Sequence, residues 1–191
     1  MGREFELKYK ATGAQLEAIQ REYRDFRIIT METTYYDAPD GVFGRLHWTL
    51  RRRMENGVSV CTLKSNLPDG SRGDWEVECP EVLRAVPGLI ALGAPVELAE
   101  LTANGVSPTC GARFTRKAKT LPAGEGLVEL ALDQGVLLGG GKELPFAEVE
   151  VELKQGADGD AVAFAQALAE RFDLTSEPKS KLRRALRLAG R

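Results

Sequence analysis

The chain of 191 residues has a single histidine, His47. That nearly excludes a histidine-built metal centre and leaves a Ser-His-Asp arrangement with one available base. Its three cysteines, Cys61, Cys79 and Cys110, are odd in number and lack C-x-x-C spacing, which argues against a disulfide framework and against a thiolate zinc site. No apolar run approaches bilayer length, and the opening MGREFELKYK is too charged for a signal peptide. The expectation is a cytoplasmic chain without membrane contact. An excess of one charge is missing too: 26 Lys and Arg against 28 Asp and Glu leave −2, so no global field recruits nucleic acid, and any anion must be held by local clustering. Chemistry in such a chain runs on carboxylates, lysines and arginines, which favour hard, oxygen-seeking cations such as Mg²⁺ or Mn²⁺.

The chain does carry alternation. In Glu4-Phe5-Glu6-Leu7-Lys8 and again in Glu148-Val149-Glu150-Val151-Glu152, strand geometry puts the charged side chains on one face and the apolar ones on the other. Runs at about 27–36, 45–54, 57–65, 71–79, 108–121, 126–134, 136–138 and 145–154 read as further strands, with Asn56-Gly57 and Pro68-Asp69-Gly70 as reversals. Helical spacing covers 14–24, two segments between 80 and 104, residues 158–172 and the basic tail 179–187. Gly139-Gly140-Gly141-Lys142-Glu143 fails the phosphate-loop pattern, because Val136 and Glu143 stand at its first glycine and hydroxyl positions. It reads as a hairpin turn. With 43% hydrophobic and 28% charged residues, a single domain over 1–191 of mostly hairpin-linked strands is expected: an antiparallel α+β domain or a closed barrel.

The charges segregate by sign. Carboxylates dominate the first and last strands, whereas Arg51, Arg53, Lys64 and Arg116 lie on strands between them. A solvated face more often mixes signs to gain cross-strand pairs. Closing such a sheet with the charged face inward requires pairing, hydration or metal for each buried charge. A wet lumen holding a polyanion and divalent metal supplies all three, with the apolar face packed outside under helices.

Several blocks then stand in one order. Glu4-x-Glu6-x-Lys8, Tyr35-Tyr36-Asp37-Ala38-Pro39, Leu50-Arg51-Arg52-Arg53, Thr62-Leu63-Lys64, Arg72-x-Asp74-x-Glu76, Glu129-x-x-x-Asp133, Glu148-x-Glu150-x-Glu152 and Ser180-Lys181 resemble the signature of the CYTH superfamily, the triphosphate tunnel metalloenzymes. Asp74 stands where a glutamate is expected, and Phe114 where several relatives carry a basic residue. The resemblance implies an eight-stranded antiparallel β-barrel, or tunnel, with helices outside. It implies a Mg²⁺- or Mn²⁺-dependent hydrolase of triphosphate-containing substrates or short polyphosphate, inorganic triphosphate first. Alternatives are a class IV-type adenylate cyclase, a thiamine triphosphatase, and a non-catalytic polyphosphate- or nucleotide-binding module. Lys8, Arg51, Arg53, Lys64, Arg72, Arg116 and Lys181 would hold phosphoryl oxygens. Glu4, Glu6, Glu76, Glu129, Asp133, Glu148, Glu150 and Glu152 would hold metal, with Lys8, Glu150 and Glu152 catalytic. Arg72 and Glu76 could instead pair inside the lumen, Arg52 is expected to face outward, and Arg183, Arg184 and Arg187 to form a surface strip. His47 is expected to be a tunnel-mouth or packing residue rather than a base, and assembly as a homodimer is left open.

Overall fold

The structure, a computed structural model, describes residues 5–66 and 72–191, Arg72 by its backbone alone. Glu4, the Arg72 side chain and the reversal at Pro68-Asp69-Gly70 lie outside the described residues. The elements run β1 (Glu6–Lys10), α1 (Gly13–Tyr23), β2 (Arg27–Asp37), α2 (Val42–Leu46), β3 (Thr49–Glu55), β4 (Val58–Asn66), β5 (Arg72–Glu78), α3 (Val82–Ala91), α4 (Leu98–Leu101), β6 (Ser107–Ala123), β7 (Gly126–Gly139), β8 (Lys142–Gln155), α5 (Asp158–Phe172), β9 (Thr175–Ser176) and α6 (Lys181–Leu188).

All strands belong to one antiparallel sheet of order β5-β4-β3-β2-β6-β7-β8-β1-β9. It has nine strands, not eight, because Thr175 and Ser176 pair with the end of β1. No hydrogen bonds join β5 to β1 or β9 among the described residues, so the expected closed barrel is a curled sheet. The curl is deep enough for β1, β3, β4 and β8 to line one cavity. Two tight reversals follow the turn chemistry expected of them: Asn56-Gly57 and Gly140-Gly141 hold positive φ at both central positions, as hairpin turns that match strand twist require.

Two expected boundaries shift. The strand expected from residue 45 starts at Thr49, because the Asp37 carboxylate accepts the backbone N–H groups of Ala38, Phe43 and Gly44. These local bonds wind 42–46 into a helical turn that ends at His47 with φ 57°. The two expected strands 126–134 and 136–138 are one strand, since Gly135 does not break the ladder but stays in register between Phe114 and Phe146. A Cβ there would collide with the Arg113 carbonyl and Phe114.

The convex face carries most of the core. Val128, Leu130, Leu132, Val149 and Val151 pack with Leu16 and Ile19 of α1 and Ala161, Ala165 and Leu168 of α5. Leu50, Leu63 and Trp75 pack under α3 and α4. Contrary to the expectation that helices stay outside, α6 lies on the concave face: Ala185 is fully buried among Ile29, Met31, Tyr35, Phe114 and Leu137. Gly139 permits this approach, because a Cβ would run into the Ala185 carbonyl. The concave face is therefore charged over one part and apolar over another. We expect Leu130→Ala to cost about 2–5 kcal/mol in urea unfolding, since a fully buried side chain is lost, and Ile28→Ala, 61% exposed, to stay within about 0.5 kcal/mol.

Candidate active site

The concave face encloses a cavity of about 330 Å³. Among its lining residues are Glu6, Lys8, Arg51, Arg53, Lys64, Glu76, Arg116, Glu129, Glu150, Glu152 and Lys181. Alternation along the strands predicted this grouping for all but Lys181, which stands on α6 and which the resemblance supplied, and strand register sets its rows. Glu6 of β1 stands opposite Glu152 of β8, which stands opposite Glu129 of β7. Like charges directly opposed are unfavourable without a counter-charge. Lys8 reaches Glu6 at 3.1 Å, Lys154 reaches Glu152 at 2.8 Å and Glu129 at 4.0 Å, and Arg27 reaches Glu129 at 3.6 Å. In the next row Lys8 faces Glu150. Lys154, with a side chain 39% exposed, is thus a solvent-facing partner of the acidic row.

Behind these rows lies a buried ion cluster. Asp133 and Glu148 are fully buried and do not line the cavity. Arg116 grips Asp133 with two bonds, Nε to Oδ1 at 2.8 Å and Nη2 to Oδ2 at 2.7 Å, and also donates to Glu150. The Lys181 ammonium lies 2.7 Å from Asp133 Oδ2 and 2.9 Å from Glu150 Oε1, and donates to Glu148. Arg184 donates to the other Glu148 oxygen. Burial pushes the Glu150 carboxyl up, but the Lys181 and Arg116 charges overcome it and hold Glu150 well below the usual carboxylate range. Burial opposes the charge of Lys181 too, and Glu150, Asp133 and Glu148 outweigh that and raise it far above an ordinary lysine. At Glu148 burial prevails, and its carboxyl is raised.

The facing wall is cationic. Arg51 and Arg53 of β3 are side by side, with side chains 15% and 17% exposed. Burial, and Arg51 beside it, lower the Arg53 guanidinium from its usual value. Glu76 serves this wall as counter-ion, 3.6 Å from Arg51 and 3.7 Å from Arg53, while accepting from Thr62 Oγ1 at 3.0 Å. Lys64 pairs with Asp74 at 2.8 Å. The Nε–H groups of Arg51 and Arg53 are buried without an acceptor among the described residues. Arg52 faces away, as expected, and donates to the Pro80 carbonyl. His47 is exposed and outside the cavity, where a strand through 45–54 would have aligned it with the arginines.

Oxygen is the donor type throughout the acidic wall, and oxygens of Asp133, Glu148 and Glu150 lie within 4.8 Å of one another. The buried cluster already holds three side-chain cations, so an added divalent ion is best served by the cavity-facing carboxylates of Glu6, Glu129, Glu150 and Glu152, where water can leave and enter. Arg184 was expected on a surface strip and instead is 14% exposed within the cluster. Its position three residues after Lys181 on an amphipathic helix was the available signal.

The chain is similar to an inorganic triphosphatase of Haemophilus influenzae, with 28% identity over 160 residues that cover 83% of this chain and 46% of that protein. It thus spans about half the length of that curated relative. Among solved structures, a candidate adenylyl cyclase of Hippeastrum described as having a dominant triphosphatase activity superimposes with a TM-score of 0.68 at 17% identity, covering 97% of this chain and 95% of that one. The PH1819 protein of Pyrococcus horikoshii gives 0.65 at 22% identity over 98% and 99%. Both likenesses establish the curled fold. The CYTH domain family model matches residues 2–186, nearly the whole chain and every block that carries the two charged walls, and the protein belongs to the CYTH family.

Proposed function

We propose that this domain is a metal-dependent hydrolase of triphosphate-containing substrates that splits inorganic triphosphate into pyrophosphate and phosphate. The observation that carries this reading is the pair of adjacent, partly buried guanidinium groups, Arg51 and Arg53, 15% and 17% exposed, facing a carboxylate wall across one cavity. Like charges held side by side and largely away from water call for anionic partners. Phosphoryl oxygens are acceptors of the right charge, and guanidinium meets them in pairs.

Phosphoryl transfer asks a protein mainly for positioning and charge stabilisation. Lys8, Arg51, Arg53, Lys64 and Lys181 bind the phosphoryl oxygens, and Arg116 lines the floor between them. Glu6, Glu129, Glu150 and Glu152 would hold the divalent cation, Mg²⁺ or Mn²⁺, which when bound would supply neutralisation of phosphoryl charge and a more acidic water. Glu150 stays ionised at neutral pH because Lys181 and Arg116 hold its proton affinity down, which suits a ligand better than a base. Glu152, 28% exposed beside Glu6, accepts the proton of the attacking water. The water oxygen bonds to the terminal phosphorus, the bridging P–O bond breaks, and its electron pair leaves with pyrophosphate, whose developing charge meets Lys8.

Phosphate release from inorganic triphosphate, assayed beside ATP and thiamine triphosphate with Mg²⁺ or Mn²⁺, tests the reading. A cyclic nucleotide product from ATP would favour a cyclase instead, and binding without release a non-catalytic module. We expect Arg53→Ala to lower kcat/KM by roughly tenfold or more, about 1.4 kcal/mol, and Arg52→Ala to leave it unchanged; the reverse pattern would invert the face assignment of β3. Glu150→Gln should raise the metal concentration needed for half-maximal activity, because a charged ligand becomes neutral at nearly constant size. A melting series over both ligands should show that metal and triphosphate tighten one another, since each neutralises the wall that repels the other. Strictly additive shifts would separate the walls into two sites.

A further inference from the structure

The charged groups at the base of α6 divide into those that line the cavity and those that do not. Lys181 lines it, whereas Arg184, Glu148 and Glu177 do not. Glu148 is fully buried, and its two oxygens are shared out, one to Lys181 Nζ and the other to Arg184 Nη2. Arg184 also lies 3.9 Å from Glu177. The Glu177 backbone N–H donates to the Lys8 carbonyl at 2.8 Å, and its side chain accepts the Lys179 N–H at 3.1 Å. One connected set of bonds thus ties the segment entering α6 to β1 at Lys8 and to β8 at Glu148. The aromatic floor limits where the cations can go: Lys181 Nζ stands 5.1 Å from the Phe114 ring centroid, and the Arg184 guanidinium 5.5 Å from that of Phe146.

We propose that Arg184 is a positioning residue for substrate binding: by neutralising Glu148 from behind, it leaves the Lys181 ammonium shared among several carboxylates and presented to the cavity. A fully buried carboxylate cannot be left uncompensated. Without Arg184, Glu148 has Lys181 as its remaining cation and draws that ammonium away from the cavity. Glu148 likewise acts through Lys181. The inference rests on the proposed function for one point, that Lys181 meets phosphate.

The test compares Arg184→Ala, Arg184→Lys and the exposed Arg187→Ala, each in the otherwise native chain and, for Arg184→Ala, also beside Lys181→Ala. Binding of the imido-bridged, hydrolysis-resistant analogue of inorganic triphosphate with Mn²⁺ is measured by calorimetry, and acylation of the Lys181 amine is followed by mass spectrometry. Arg184→Ala should weaken triphosphate binding about tenfold and slow acylation of the Lys181 amine, which is drawn towards buried Glu148; Arg184→Lys should recover most of both, and Arg187→Ala should change neither. In the Lys181→Ala background, adding Arg184→Ala should weaken binding by less than about twofold, the non-additivity of residues acting as one unit. The proposal is overturned if Arg184→Ala binds like the native chain, or if its full loss persists without Lys181. Should the native chain not bind triphosphate at all, the proposed function falls instead. The acylation result then decides this inference alone, with equal or faster labelling of Lys181 in the Arg184→Ala chain counting against it.

Discussion

The cluster of Asp133, Glu148 and Glu150 with Arg116, Lys181 and Arg184 is the interaction on which the rest of the structure depends. Three acids and three bases meet where two of the carboxylates have no solvent contact. Such a cluster is a poor source of stability, since apolar residues of similar volume often do as well or better. Its consequence is placement. Removing one member leaves a buried charge unpaired, at about 3–5 kcal/mol, so each cation is held where its neighbours require it. The cluster joins β6, β7 and β8 to α6, and the cavity floor is the visible side of that junction.

The sheet makes room for this by reversing the usual use of its faces. Val128, Leu130, Val149 and Val151 give the convex side a core with α1 and α5, while Leu50, Leu63 and Trp75 do the same under α3 and α4. The stability supplied by that apolar burial frees the concave side to carry charge. Where the concave side is apolar, α6 covers it, and Gly139 permits the backbone approach. The walls keep the opposed character of their strands, yet neither is of pure sign: Glu76 and Asp74 serve the cationic wall, while Arg116 and Lys181 serve the acidic one. Local pairing lowers the repulsion that the undivided walls would create.

Much of this was legible in the sequence because strand alternation is a local property. The parity of Glu6 and Lys8, of Arg51 and Arg53, and of Glu148, Glu150 and Glu152 assigned each to one face before any packing was known, and Asn56-Gly57 and Gly140-Gly141 marked reversals by the backbone conformations they favour. The ordered blocks from Glu4 to Lys181 identified the family, and with it an antiparallel tunnel of charged interior, expected as a closed eight-stranded barrel where the sheet is curled and nine-stranded. Gly135 and the start of β3 were misread for a physical reason: a glycine that admits a neighbouring ring looks like a glycine that breaks a strand, and the Asp37 bonds that wind α2 are not encoded in residue periodicity.

What the sequence by itself determined was therefore facial: which side chains share a surface, which sign dominates each strand, and where the chain turns. Tertiary structure decided depth. Whether a carboxylate faces the cavity, as Glu150 and Glu152 do, or lies behind it, as Asp133 and Glu148 do, depends on where α6 settles. So does the conversion of Arg184 from an apparent surface charge into the partner of Glu148. Alternation has a period of two and carries no information about which distant helix will cover a face; that is settled by apolar fit at Ala185, Leu137 and Gly139 and by the requirement that every buried charge find its opposite.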